Sequence, residues 1–225
     1  MSYLLIFLIF MLASWAVGAR LKSKFRQYSE IPVNYGLSGK EVAEKMLYEN
    51  GITDVQVLSV DGELSDHYNP QKRTVNLSHD VYAGRSIAAA AIAAHECGHA
   101  VQHAEAYSWL QMRTALVPMV SFSSKWVQWI LLAGILLINT FPQLLLAGIV
   151  LFALTTLFSF ITLPVEIDAS RRATDWLDGS GIATAATLPK AKEALRLAAY
   201  TYVIAALASL ATLMYYIMIF MGRRD

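Results

Sequence analysis

The chain has 225 residues, 56% of them apolar and only 16% charged, with a formal net charge of +1. A soluble domain carries nearer to about 25% charge, and a near-neutral balance excludes a basic nucleic-acid surface. The single cysteine, Cys97, excludes a disulfide framework within the chain, and the apolar residues gather in long blocks, as they do in membrane proteins.

The first block is "YLLIFLIFMLASWAVGA", residues 3–19. It is about long enough to cross a bilayer as a helix. A cleaved signal peptide carries its basic residues before the apolar core. Here Arg20, Lys22, Lys24 and Arg26 follow it, which predicts a retained anchor whose C-terminal end faces the cytoplasm.

Residues 27–115 read as a polar domain. "LSGKEVAEKMLYENGI" has Ser38 and Glu41 at capping-box spacing. It has an apolar face of Val42, Ala43, Met46 and Leu47, and Asn50-Gly51 as a stop. It predicts a short amphipathic helix. "DVQVLSV" and "RTVNLS" read as strands, with "DHYNPQK" as turn residues between them. "TVNLS" is a candidate edge strand for an extended peptide, or else an internal strand. Ser86 caps a second helix, roughly 87–105. Its apolar run "IAAAAIAA" is too short to span a membrane and predicts burial inside the polar domain.

Beyond it, a span from about Val120 to Ile138 is joined by "NTFPQ" to a second span over 144–163. So short a link makes the two antiparallel. The chain then turns polar in "PVEIDASRRATDWLDGSG", and a last helix begins near Pro189. Four spans place both termini on one side. Arg20 to Arg26, Arg171, Arg172, Lys190, Lys192 and Arg196 fall on the other, which makes that side cytoplasmic. Arg223 and Arg224 are the exception.

The second helix carries the chemistry. In "AIAAHECGHAVQHAEA", His95 and His99 are four apart and share one helix face. They can present two imidazole nitrogens to one ion. Glu96 cannot easily chelate with them, but it can reach a water on that ion. This is the H-E-x-x-H logic of two zinc ligands and a general base. His103 continues the row, yet it lies about 12 Å from His95 along the axis, too far for one zinc to bind both. It is expected behind the site or on the surface, and His67 and His79 are expected as surface histidines. Cys97 points away and is expected to pack.

A catalytic zinc needs a third protein ligand. Glu166 and Asp168 follow the third span, and Asp178 lies in "WLDG". Site-2-type intramembrane proteases pair H-E-x-x-H with an L-D-G aspartate. In them both motifs lie at membrane-embedded segments, whereas here "DWLDGSG" lies in a polar stretch. Glu166 is therefore favoured over Asp178.

The combination "YNPQKRTVNLS … SIAAAAIAAHECGHAVQH", two spans and "PVEIDASRRA" resembles the YugP-type bacterial membrane neutral zinc metallopeptidases over nearly the whole chain. The resemblance implies a gluzincin-like site, with His95, His99 and Glu166 on one zinc ion and Glu96 as base. The chain is also similar to HtpX-type proteases, whose pattern has an Asp four residues after the Glu. Here position 170 is Ser, which keeps Asp168 among the candidates.

The expected fold is a mainly α membrane protein with four transmembrane helices and a small cytoplasmic α+β zincin-like catalytic domain. Its predicted parts are an anchor (1–19), the catalytic domain (20–119), a two-helix hairpin (120–164), a cytoplasmic segment with the third ligand (165–196) and a final helix (197–221). The expected function is a zinc-dependent endopeptidase in a bacterial inner membrane. It would act on membrane or membrane-adjacent polypeptides, with the lipid bilayer and no nucleic acid as partner. The rival from another class is a non-catalytic scaffold holding zinc for structure, which would need four protein ligands.

Overall fold

The structure is a computed structural model and describes residues 3–62 and 64–222. Arg223 and Arg224, the exceptions to the charge asymmetry, lie outside the described residues. In chain order the elements are α1 (Tyr3–Ser29), α2 (Gly39–Glu49), β1 (Gln56–Val60), β2 (His67–Asn69), β3 (Thr74–Ser78), α3 (His79–Ala83), α4 (Ile87–Ala104), α5 (Ser108–Leu136), α6 (Pro142–Gly179) and α7 (Leu188–Gly222). Among the described residues, four helices are long and apolar enough to cross a membrane: α1, α5, α6 and α7.

The chain forms two compact units. One gathers the N-terminal stretch ending at Ala16, Gln111–Leu163 and the stretch from Thr201. Its core is Val127 and Leu131 of α5 against Leu145 and Ile149 of α6. Gly134 allows the hairpin to close, because a Cβ there would lie 2.5 Å from the Leu145 Cα.

The other unit holds Val17–Leu110 and Pro164–Tyr200. α2 begins as expected. The Ser38 hydroxyl accepts from the Glu41 N–H at 3.3 Å, and the Ser38 N–H donates to Glu41 Oε2 at 2.7 Å. Val42, Ala43, Met46 and Leu47 are buried. The helix stops at Asn50, and Gly51 takes the left-handed φ of 71°. α4 is the buried centre of this unit, and its run Ala88–Ala91 with Ala93 and Ala94 is almost fully covered.

One open reading is decided and three expectations change. The sheet has three strands in the order β1-β3-β2. β1 pairs parallel with β3, and β2 pairs antiparallel with it. β3, the "TVNLS" segment, is therefore internal and buried along its length, so it is not an edge strand. The third strand comes from the stretch read as turn. There Asn69 closes a tight bend by accepting from the N–H groups of Gln71 and Lys72 at 3.0 Å each, which turns Tyr68 back along β3. α6 also differs, because it continues through Pro164 to Gly179. A proline removes one helical hydrogen bond. The row Val165, Ala169, Ala173 and Leu177, each 0% exposed, recurs every four residues and buries one face of the continuing helix. α5 likewise starts at Ser108, well before Val120.

Candidate metal centre

Two helices build the site. α4 starts where Ser86 accepts from the Ala89 N–H at 3.2 Å, and it carries His95, Glu96 and His99. α6 carries Glu166. The helices touch at Gly98, where a Cβ would lie 2.7 Å from the Ala169 carbonyl oxygen. That contact brings Glu166 over the two histidines. Glu166 Oε2 is 3.4 Å from His95 Nε2 and 3.7 Å from His99 Nε2. The imidazole rings stand edge to face with centroids 4.8 Å apart.

These distances fit a shared cation. Bonds of about 2.0–2.1 Å in tetrahedral geometry put donor atoms roughly 3.3 Å apart. One ligand atom from each of His95, His99 and Glu166 lies within 4.8 Å of the others. Among the described residues this is the one group of three or more His, Cys, Asp or Glu that could hold a metal ion. The charge balance agrees. Glu166 is 3% exposed, and a buried carboxylate is costly unless a cation meets it. Burial lowers the pKa of His99, but the carboxylates of Glu166 and Glu96 raise it more, leaving it above the ordinary histidine value. The pocket favours positive charge between its donors.

Glu96 is buried beside the candidate ligands and outside their set. Its Oε2 accepts from the Tyr68 N–H at 3.0 Å, so the outer edge of β2 points at it. Tyr68 also reaches along α4, its hydroxyl 2.8 Å from His103 Nδ1. His103 thus lies next to the site without joining the ligand group. His67 is exposed and engages the Ser65 carbonyl oxygen. Cys97 is fully buried, with Sγ 3.5 Å from the Ala43 carbonyl oxygen, and burial pushes its thiol well above the ordinary value.

The other two acidic candidates go elsewhere. The Asp168 carboxylate meets Arg171 at 2.6 Å, Arg172 at 2.5 Å and the Gln102 amide at 2.9 Å. Asp178 is exposed near the end of α6, twelve residues beyond Glu166. Sequence reasoning missed Gln102 and Ser170. Gln102 lies 3.0 Å from His99 Nδ1, and the Ser170 hydroxyl lies 3.1 Å from His95 Nδ1. The available signals were their positions, Gln102 three residues after His99 and Ser170 four after Glu166, both on the site's helix faces.

Residues 3–221 match the protein family described as "Putative neutral zinc metallopeptidase". The chain belongs to that family. It is 42% identical over 214 residues to a Bacillus subtilis (strain 168) protein named "Putative membrane protease YugP", covering 95% of this chain and 94% of that relative. No solved structure matches. Family membership points to zinc, and the His95–His99–Glu166 group could hold a metal ion.

Proposed function

We propose that the chain is a membrane-anchored zinc endopeptidase, with His95, His99 and Glu166 as ligands and Glu96 as general base. The observation that carries this reading is the convergence of three donors around one point, with a second carboxylate, outside the donor group and held by the Tyr68 N–H, on the residue that follows His95 in the same helix. Three protein donors are the ligand count of a catalytic site, whereas a structural zinc is closed by four.

When bound, zinc would polarise the substrate carbonyl and make water more acidic. Glu96 takes a proton from the attacking water as its oxygen bonds to the carbonyl carbon. It then delivers that proton to the departing amine as the C–N bond breaks. The Tyr68 N–H holds the Glu96 carboxylate in place until then. β2 is the outer strand on this side of the sheet and packs beside α4. It is the strand along which an extended polypeptide would lie.

The substrates are membrane or membrane-adjacent polypeptides. Two observations support this: Glu166 follows the apolar run 144–163 by three residues, and the relative is named a membrane protease. The host membrane is the bacterial inner membrane with the catalytic unit in the cytoplasm. Arg20, Lys22, Lys24, Arg26, Arg171, Arg172, Lys190, Lys192 and Arg196 all belong to the unit that carries the site.

The test is proteolysis of an unfolded polypeptide by the zinc-loaded full chain in detergent, against Glu96→Gln. Loss of a general base costs about 10²–10⁴-fold in rate. Equal activity in both proteins defeats the proposal.

A further inference from the structure

Gln102 is fully buried, and every polar atom of its side chain is engaged. Its Nε2 donates to the Val165 carbonyl oxygen at 2.8 Å and to Asp168 Oδ2 at 2.9 Å. A carbonyl and a carboxylate oxygen only accept. The amide therefore cannot be turned round, because its own oxygen would then face two acceptors in a site closed to water. Gln102 Oε1 is accordingly the atom that lies 3.0 Å from His99 Nδ1. That oxygen also only accepts, so His99 Nδ1 must carry the hydrogen. In the neutral ring the lone pair is then left on Nε2, the atom that faces Glu166.

We propose that Gln102 is a positioning residue that dictates which His99 nitrogen is offered to the metal, and that α6 holds it in that role through Val165 and Asp168. The inference rests on the metal-site reading above for its purpose, but its geometry is independent of any ion. Asp168 is itself fixed by Arg171 and Arg172. Arg172 reaches on to Glu105 at 2.7 Å and stacks over the Tyr107 ring at 5.9 Å. A continuous polar chain thus runs from Glu105 through Arg172, Asp168 and Gln102 to His99. Asp168, which competes with Glu166 for the metal when only the order of residues is considered, has a different task here: it anchors the amide behind His99.

The two histidines are treated unequally. His95 Nδ1 meets the Ser170 hydroxyl, which can donate or accept. Nothing in that contact imposes a tautomer. The rigid amide behind His99 does.

The experiment uses the full chain in detergent, zinc-stripped and labelled with ¹⁵N-histidine, at a pH where the imidazoles are neutral. Five histidines keep the spectrum simple, and a His99→Gln variant assigns the signal. In the wild type, His99 is expected to be protonated on Nδ1 alone. In Gln102→Met, which keeps the length and loses the acceptor, both tautomers should appear. Zinc affinity by chelator competition should then fall about 10–100-fold, the usual loss when a ligand's hydrogen-bond partner is removed. A Gln102 that only glued helices together would leave the tautomer unchanged. Wild-type His99 protonated on Nε2 overturns the proposal, and this needs no variant to fold. A folded Gln102→Met with one tautomer and unchanged zinc affinity overturns it as well. Proteolysis enters neither measurement, so failure of the peptidase reading and failure of this one are separate results.

Discussion

Gly98 and Ala169 meet backbone to backbone, and the candidate metal site depends on that contact. Gly98 sits between His95 and His99 in α4, and Ala169 lies three residues beyond Glu166 in α6. A Cβ on Gly98 would come within 2.7 Å of the Ala169 carbonyl oxygen and 3.1 Å of its Cα. Backbone atoms of a buried helix cannot swing aside, so the helices themselves would have to part. Gly98→Ala is expected to cost about 1–3 kcal/mol, the range for overpacking a close-packed interior. It should also weaken zinc binding, because separating α4 from α6 draws Glu166 from the histidines. Chemical denaturation with a parallel zinc titration checks both. Unchanged values in the two assays contradict the geometry.

Glu166 and Asp178 make opposite predictions. Glu166→Gln keeps the shape but removes the one carboxylate oxygen set between the two imidazoles. The purified variant should lose most of its bound zinc. Asp178 is exposed and lies three helical turns on, so Asp178→Asn should retain zinc at the wild-type stoichiometry. Metal analysis after dialysis reads both. The reverse pattern would restore the ligand arrangement of the site-2-type proteases.

The H-E-x-x-H row was legible because its meaning is local: residues four apart on a helix share a face wherever the helix goes. Cys97 and the alanine run were legible for the same reason, since apolar residues in a polar domain mark its interior. Glu166 was favoured over Asp178 and implied by the resemblance, with Asp168 left open beside it. The choice depends on where α6 crosses α4, and that crossing is set by Gly98 against Ala169. Pro164 hid the continuation of α6, because its effect on hydrogen bonding is written in one residue while the buried row that outweighs it spans Val165 to Leu177. β2 was hidden by turn-forming Asn69 and Pro70, which close the bend at its end. Gln102 offered only its place three residues after His99. The partners that fix its orientation lie 63 and 66 residues away, beyond the reach of any local pattern.

Cys97 makes a simple kinetic probe of the same helix. It is 0% exposed and packs its thiol against the Ala43 carbonyl oxygen. Burial also holds the thiol protonated, and the thiolate is the reactive form. In the native protein a maleimide should label it only as fast as α2 and α4 open, and one equivalent should react at once in denaturant. Prompt labelling under native conditions would place Cys97 at the surface, against the packing described here.

The cap of α2 extends the argument to stability, because α2 packs against α4. Ser38→Ala removes the hydroxyl that accepts from the Glu41 N–H, at an expected cost of about 1 kcal/mol. Glu41 offers a pH test of the reciprocal half of the box. Hydrogen bonds from the Ser38 backbone N–H and hydroxyl hold its carboxyl below the ordinary value of 4.5. The folded pKa is therefore lower than the unfolded one. The charged form's stabilisation is complete above the ordinary carboxylate range and fades as pH falls through the folded value. Glu41→Gln should melt below wild type at neutral pH, and the gap should close on acidification. A gap that stays constant into acid would mean that the Glu41 charge contributes nothing to holding α2 in place.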